Sequence, residues 1–337
     1  MKASYLNKSK EIYISETNLP VLDSDEVLVK VESVGICGSD VHYYKHGVIG
    51  PYVVENPIIL GHELSGVITD VGFGVSRDRI GTRVAVEPQR ACDICEQCKA
   101  GRYNLCPKME FYATPPIDGA FCEFVKIQSK FAFEIPNNIS FDAAALIEPM
   151  SVCIWAAQKA QIAEGSTVLI AGAGPIGVVM AQVAKAFGAS DVVVTDVLDH
   201  RLDFVKRFGA TRTVNTHSSS IGEEKFDVFI DACGVPSAVY AGIKSTGPAG
   251  RVLLVGLGSD DMNLPVSHIQ NNEIIVTGVF RYTNTWPIAI EFLASGKVNL
   301  DAIVTHHFGL EQVEDGLLAT SNPEAMKVII HPQRASI

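Results

Sequence analysis

Six short, apolar, β-branched runs in the second half of the chain constrain its fold more than any other feature. They are STVLIAG (166–172), DVVVTD (191–196), TRTVN (211–215), FDVFIDA (226–232), GRVLLVG (250–256) and EIIVTGV (273–279). Strands that are apolar along nearly their whole length are buried on both faces, so helices must cover each side of the sheet they form. Helical segments lie between most of them, including PIGVVMAQVAKAFG (175–188) and LDHRLDFVKRFG (198–209). The pattern predicts an α/β architecture with a doubly wound parallel sheet over residues 150–280. One crossover is cramped: only Thr216 to Lys225 separates the third and fourth runs. That is near the minimum for a parallel return, so a helix of one or two turns is expected there.

The first 145 residues have a different rhythm. EVLVKVESV (26–34), SGVITDVG (65–72), TRVAVEP (82–88) and AFCEFVKI (120–127) are short segments punctuated by glycine and proline. They predict a partly open β-barrel. After Val279 the chain passes through FRYTNTWPIAIEFLASGKVN to a further strand and helix, expected to rejoin this barrel. The expected division is therefore 1–149 with 281–337 as one unit and 150–280 as the other. At 337 residues, 47% of them hydrophobic and 19% charged, the chain is large enough for two globular cores. A net charge of −11 argues against nucleic acid as a partner, because phosphate-backbone binders cluster Lys and Arg. The longest uncharged run, Thr167 to Ala184, is broken by Gly172, Gly174, Pro175 and Gly177. It reads as a buried strand–turn–helix, and no membrane partner is expected.

Four cysteines, Cys92, Cys95, Cys98 and Cys106, fall within fifteen residues in a polar, glycine-containing segment. Sulfurs at this spacing can converge on one tetrahedral Zn²⁺. Disulfides are the competing reading. The opening MKASYLNKSKEIYIS has no apolar leader core or cleavage site, so reduced thiols and a cytoplasmic location are expected. A site closed by four thiolates has no open coordination position, so it is structural and the chemistry must lie elsewhere.

Gly172-Ala173-Gly174-Pro175-Ile176-Gly177 sits between a predicted strand and a predicted helix. In that context Gly172 permits the turn, Gly174 lets backbone approach a pyrophosphate, and Gly177 allows close helix–strand contact. Asp196 ends the next strand, nineteen residues beyond Gly177. A carboxylate there accepts from ribose hydroxyls and repels a 2′-phosphate, so NAD is expected over NADP. The bland alternative for Asp196 is a cap or turn residue. Arg201 is a candidate for the ribose or adenine side, or a solvated helix residue.

A dinucleotide fold beside a metal-bearing unit suggests zinc-assisted hydride transfer, which needs three protein ligands and an open position. Cys37 lies on a glycine-flanked turn, Gly35-Ile36-Cys37-Gly38-Ser39-Asp40, and His62-Glu63 offers an imidazole and a carboxylate. Spacing alone leaves open whether Cys37 and His62 meet.

GHELSGVITDVG (61–72), GICGSDVHYY (35–44), the four-cysteine loop and GAGPIG, in that architecture, resemble the zinc-dependent medium-chain dehydrogenases over essentially the whole chain. VHYY, LIEPMSV (146–152) and VFRYTNTWP (279–287) resemble the sorbitol (polyol) dehydrogenase branch. The resemblance implies a GroES-like catalytic domain and a Rossmann domain, and one catalytic and one structural Zn²⁺ per chain with NAD. It implies a catalytic metal held by Cys37, His62 and Glu63, with Glu148 reaching it directly or through water. It further implies a proton relay through Ser39 and His42, and polyol contacts from Tyr43, Arg281 and Tyr282. Phe111 and Thr114 line the same pocket or merely pack the core. Val255, Gly256, Leu257, Val279, Phe280 and Arg281 match nicotinamide-side contacts, beside Gly172, Gly174, Pro175, Ile176, Gly177, Asp196 and Arg201 on the phosphate and ribose side.

The expected reaction is reversible oxidation of a sugar alcohol at C2 to the ketose. A threonine-type or other secondary-alcohol dehydrogenase with the same metal residues is the alternative. A homo-oligomer, tetramer or dimer, acting on small molecules is expected. Two departures from the family pattern are a short 74–84 loop, with Thr82 where Asp is usual, and the short 216–225 crossover. His200, His217, His306 and His307 stand in no motif, and surface or capping roles are expected for them.

Overall fold

The computed structural model describes residues 1–259 and 261–334. The chain forms two compact units, Met1–Glu148 with Leu300–Ile337, and Pro149–Asn299. No helix among the described residues is long and apolar enough to cross a membrane.

In the second unit all six apolar runs are strands: Thr167–Ala171, Asp191–Asp196, Arg212–Asn215, Phe226–Asp231, Thr246–Leu254 and Ile275–Gly278. They lie in the order third, second, first, fourth, fifth, sixth, and every pairing is parallel. Val192, Val193 and Val194 are all fully buried, as consecutive residues of a strand covered on both faces must be. The order reverses between the first and fourth strands, which sets the crevice at their carboxyl ends as the ligand-binding edge.

The 216–225 crossover holds no helix. It consists of turns, begun by the Ser218 and Ser219 amides bonding back to the Asn215 carbonyl. Its ten residues reach about 33 Å when extended, enough for three strand spacings of about 4.8 Å and the length of a strand. Arg212, at the start of the third strand, holds the far end of this passage by pairing with Glu224, and is itself held by Asp191 at 3.2 Å.

The return to the first unit comes at Leu300, later than the expected residue 281. The helix Trp286–Ala294 is held by the second unit: Phe292 meets Phe187 edge-on at 5.6 Å. Just beyond it, the Gln182 side chain bonds both the amide and the carbonyl of Asn299.

The first unit is built on a seven-stranded sheet. Its path runs Ala132–Glu134, Arg83–Val86, Glu63–Val71, Glu26–Gly35, Lys327–His331, Val304–Gly309. Glu26–Gly35 is the hub. One edge pairs with Glu63–Val71, and the other is shared between Phe124–Gln128 and Lys327–His331. Val27, Val29, Val31 and Val34 of this strand are fully buried and pack with Leu64, Ile68 and Phe121. The short 74–84 loop is tied to the 129–132 segment, with the Arg79 guanidinium donating to the Ser129 and Ala132 carbonyls at 2.6 and 2.5 Å.

Candidate metal centres and dinucleotide cleft

The hub strand ends at Gly35, and Cys37 caps the helix Gly38–His46 that follows. Asp40, fully buried in the first turn of that helix, organises the site. Its Oδ2 accepts from the Cys37 amide and its Oδ1 from the Gly61 amide, both at 2.9 Å. Oδ1 also lies 3.7 Å from His62 Nδ1, which leaves the other ring nitrogen for a metal. Asp40 was not anticipated as a site residue, although a carboxylate three residues after a helix cap is a recognisable signal.

Glu63 faces Gly35 across the sheet. A Cβ at Gly35 would come within 2.0 Å of Glu63 Oε2, so only glycine leaves room for that carboxylate. The Cys37, His62 and Glu63 ligand atoms all lie within 4.8 Å of one another. Glu148 is buried in the first turn of the helix Ile147–Ala160 and is not a member of that group of three. Its charge nevertheless reaches His62.

A second unanticipated residue, Lys327, places its Nζ 2.6 Å from the Glu63 carboxylate and donates to the Ile36 carbonyl at 2.9 Å. Burial works against its charge, but Glu63 and Cys37 overcome this and raise its pKa. Burial likewise opposes a charged His62, yet the Cys37 sulfur and the Asp40 carboxylate, with Glu148 beyond, lift its pKa to about 10. The anionic donors Cys37, Asp40, Glu63 and Glu148 thus draw positive charge into the set. A sulfur, an imidazole and a carboxylate at this spacing suit Zn²⁺.

Ser39 and His42 lie three residues apart on the helix, so they share a face; Ser39 is half-buried and His42 exposed. Tyr43 is buried in the core cluster. The Phe111 ring is 5.5 Å from that of His62, and Thr114 is half-buried behind it.

The four loop cysteines also converge within 4.8 Å, and none forms a disulfide. Backbone amides turn inward, Cys92 and Lys108 each donating to the Cys106 sulfur at 3.4 Å. The Ile94 and Cys95 amides pull the Cys92 thiol down to about 6, while burial and its neighbour sulfurs push Cys98 up to about 12. Four thiols packed together cannot all ionise unless a cation joins them, which is the condition a structural zinc meets.

In the second unit Gly172 has φ +104°, and a Cβ on Gly177 would strike the Gly172 carbonyl at 1.8 Å. A Cβ on Gly174 would meet only Arg201, at 3.7 Å, so the space above it is open for a phosphate. Pro175 begins the helix Pro175–Ala186, with Ile176 in its first turn, and no side chain caps it. Asp196 Oδ2 accepts from the Ala173 amide at 2.7 Å, and its Oδ1 from the Val197 and Leu198 amides at 2.7 and 3.0 Å. It therefore serves as a turn residue, and those bonds hold its carboxylate beside a cleft of about 520 Å³ lined by Gly172, Thr195, Asp196 and Arg201. Val255, Gly256 and Leu257 follow the fifth strand, and Val279, Phe280 and Arg281 follow the sixth, all at the carboxyl edge of the sheet. The Arg281 guanidinium stacks on the exposed Phe280 ring at 4.8 Å, and Tyr282 is fully buried.

Residues 23–137 match the model for the alcohol dehydrogenase GroES-like domain, and residues 175–295 that for zinc-binding dehydrogenases. The chain is 45% identical to the sorbitol dehydrogenase of Bacillus subtilis, covering 99% of this chain and 98% of that one. It is 42% identical to the Mus musculus sorbitol dehydrogenase over 95% and 92% of the two chains. A solved short chain alcohol dehydrogenase from Escherichia coli, complexed with NADH, superposes with a TM-score of 0.92 at 31% identity, covering 98% and 99% of the chains. With both units matched and full-length relatives at this identity, the chain belongs to the zinc-binding medium-chain dehydrogenases, in the branch that holds the sorbitol dehydrogenases.

Proposed function

We propose that the protein oxidises a sugar alcohol such as sorbitol or xylitol at C2 to the ketose, reversibly, with zinc and NAD. The observation that carries this reading is the convergent Cys37–His62–Glu63 set, with His62 and Glu63 buried and the charge of Glu148, rather than a second sulfur, acting on it. Zn²⁺ held there supplies Lewis acidity toward a secondary hydroxyl, and NAD⁺ supplies the hydride acceptor. Asp40 orients His62, and Lys327 holds Glu63 in place while balancing its charge. Ser39 and His42, on one helix face from half-buried to exposed, suit the exit of the hydroxyl proton. Glu148 suits orientation or deprotonation of a water at the metal centre. The open space over Gly174 takes the pyrophosphate, Asp196 the adenosine ribose and Arg201 its flank, with the residues after the fifth and sixth strands on the nicotinamide side.

A polyol presents several hydroxyls at once, and we assign Tyr43, Thr114, Arg281 and Tyr282 to hold them, with Phe111 as an apolar wall. Groups of this kind left unpaired penalise a simple alcohol. The sixth strand, Ile275–Gly278, is an unpaired sheet edge with Ile275 47% exposed, which supports a homo-oligomer. The free thiols support a cytoplasmic location.

The deciding experiment is an initial-rate panel of sorbitol, xylitol, ribitol, galactitol, L-threonine and ethanol with NAD⁺ and NADP⁺. A polyol with NAD⁺ should give the highest kcat/KM. L-Threonine or ethanol in first place would overturn the substrate class, and a higher value with NADP⁺ would overturn the cofactor assignment.

A further inference from the structure

A third group of ligating side chains lies in the first unit and shares no member with either zinc site: Asp142, His307 and His331. His307 pairs in register with Ile329 on the neighbouring parallel strand, and His331 is two residues further along that strand. The two imidazoles therefore emerge on the same face of the sheet. Their rings stack at 5.2 Å, with His307 Nδ1 only 2.9 Å from His331 Nε2. The same two nitrogens face one carboxylate: His307 Nδ1 is 3.6 Å from Asp142 Oδ2, and His331 Nε2 is 3.8 Å from Asp142 Oδ1. Donors around a tetrahedral ion with bonds of about 2.0–2.1 Å stand about 3.3 Å apart, close to the separation of the two nitrogens and to that of each nitrogen from its nearer carboxylate oxygen.

The surroundings are those of a ligand set. His331 Nδ1 lies 3.2 Å from the Glu32 carbonyl, so its proton belongs on that side and the Nε2 lone pair faces inward. Ser33 Oγ, 3.4 Å from His331 Nδ1, donates to Asp142 Oδ1 at 2.5 Å and fixes the carboxylate.

We infer that Asp142, His307 and His331 form a third metal site, for a divalent transition ion of the imidazole-binding class such as Zn²⁺, Co²⁺ or Ni²⁺. Two imidazoles disfavour Mg²⁺ and Ca²⁺, which prefer all-oxygen shells. With three protein ligands and His307 half-exposed, the site keeps water-filled positions and exchanges its ion, unlike the closed four-cysteine site. An ion there ties the strands Val304–Gly309 and Lys327–His331 to the helix Phe141–Ala145, so free metal stabilises the first unit. None of this depends on the substrate reading.

The test is cobalt binding to the two-zinc enzyme, followed by equilibrium dialysis, elemental analysis and visible absorption, with melting curves alongside. Wild type should take up one Co²⁺ beyond its two zincs and melt higher with Co²⁺ present. H307A and H331Q should keep both zincs, bind the extra ion at least tenfold more weakly and lose the melting shift. H306A, altered at the adjacent half-buried position on the other face of the strand, should behave as wild type. Absence of a third equivalent, undiminished binding in H307A and H331Q, or equal loss in H306A would each overturn the site.

Discussion

Replacing Lys327 by methionine probes the charge balance of the Cys37–His62–Glu63 centre. The Lys327 and Glu63 side chains are 5% and 1% exposed and meet at 2.6 Å. Removing one partner of a buried pair costs about 3–5 kcal/mol, because the other charge stays buried without compensation. Loss of the bond to the Ile36 carbonyl adds about 1 kcal/mol. At about 2–4 °C per kcal/mol for a unit of this size, zinc-free K327M should melt roughly 10–20 °C below wild type. Zinc should narrow that gap, since a divalent ion takes over part of the counter-charge. The E63Q/K327M pair removes the orphaned carboxylate and should be more stable than K327M alone by about 2 kcal/mol, the coupling expected of groups in contact. The assay is differential scanning calorimetry of wild type, both single variants and the double variant, with and without a zinc chelator. If K327M melts within about 2 °C of wild type without zinc, or the two substitutions simply add, the electrostatic account of this centre is wrong.

Replacing Asp196 by alanine removes the carboxylate at the ribose end of the cleft. At about 1.5–3 kcal/mol for a hydrogen bond to a charged group, the NAD⁺/NADP⁺ ratio of kcat/KM should fall by about ten- to a hundredfold in initial-rate assays. Glu87, whose carboxylate is bonded by Gln89 and by Tyr103 at 2.9 Å, is pushed by burial up to about 7. A raised carboxyl pKa contributes stability fully below the unfolded value and loses it as pH rises through the folded one. The wild-type melting temperature should therefore decline between about pH 5 and 8, on the order of 3 kcal/mol, and E87Q should flatten that decline. C95S should lower zinc content from two to one per chain and reduce the melting temperature. Turnover per occupied Cys37 site should change much less, as elemental analysis and rates on one sample would show.

Much of this molecule is legible in local sequence because the signals are local. The apolar runs, GAGPIG and the cysteine spacing each report on neighbours within a few residues, and the parallel sheet and the four-cysteine set followed from them, whereas the Cys37–His62–Glu63 set came only from the resemblance of its motifs to a family. What was hidden depends on pairing across long separations. Lys327 opens the run KVIIH and reads as an edge lysine until that strand is laid against Gly35, which buries it on Glu63. The helix Trp286–Ala294 is apolar enough to join either unit, and only its contacts with Phe187 and Gln182 decide. His307 stands in no motif because its partners come from another strand and from a helix far earlier in the chain. The 216–225 crossover dispenses with a helix because an extended chain already spans the distance.

The hub strand Glu26–Gly35 shares one edge between two partners, and the second of them, Lys327–His331, is the last strand to be synthesised. As the chain leaves the ribosome, Cys37, His62 and Glu63 emerge early, and the whole Pro149–Asn299 unit follows before Lys327 exists to neutralise Glu63. The four-cysteine loop needs only its own fifteen residues. The four-cysteine site is therefore complete early on the nascent chain, whereas the Glu63 carboxylate waits for its lysine counter-charge until the strand Lys327–His331 is added.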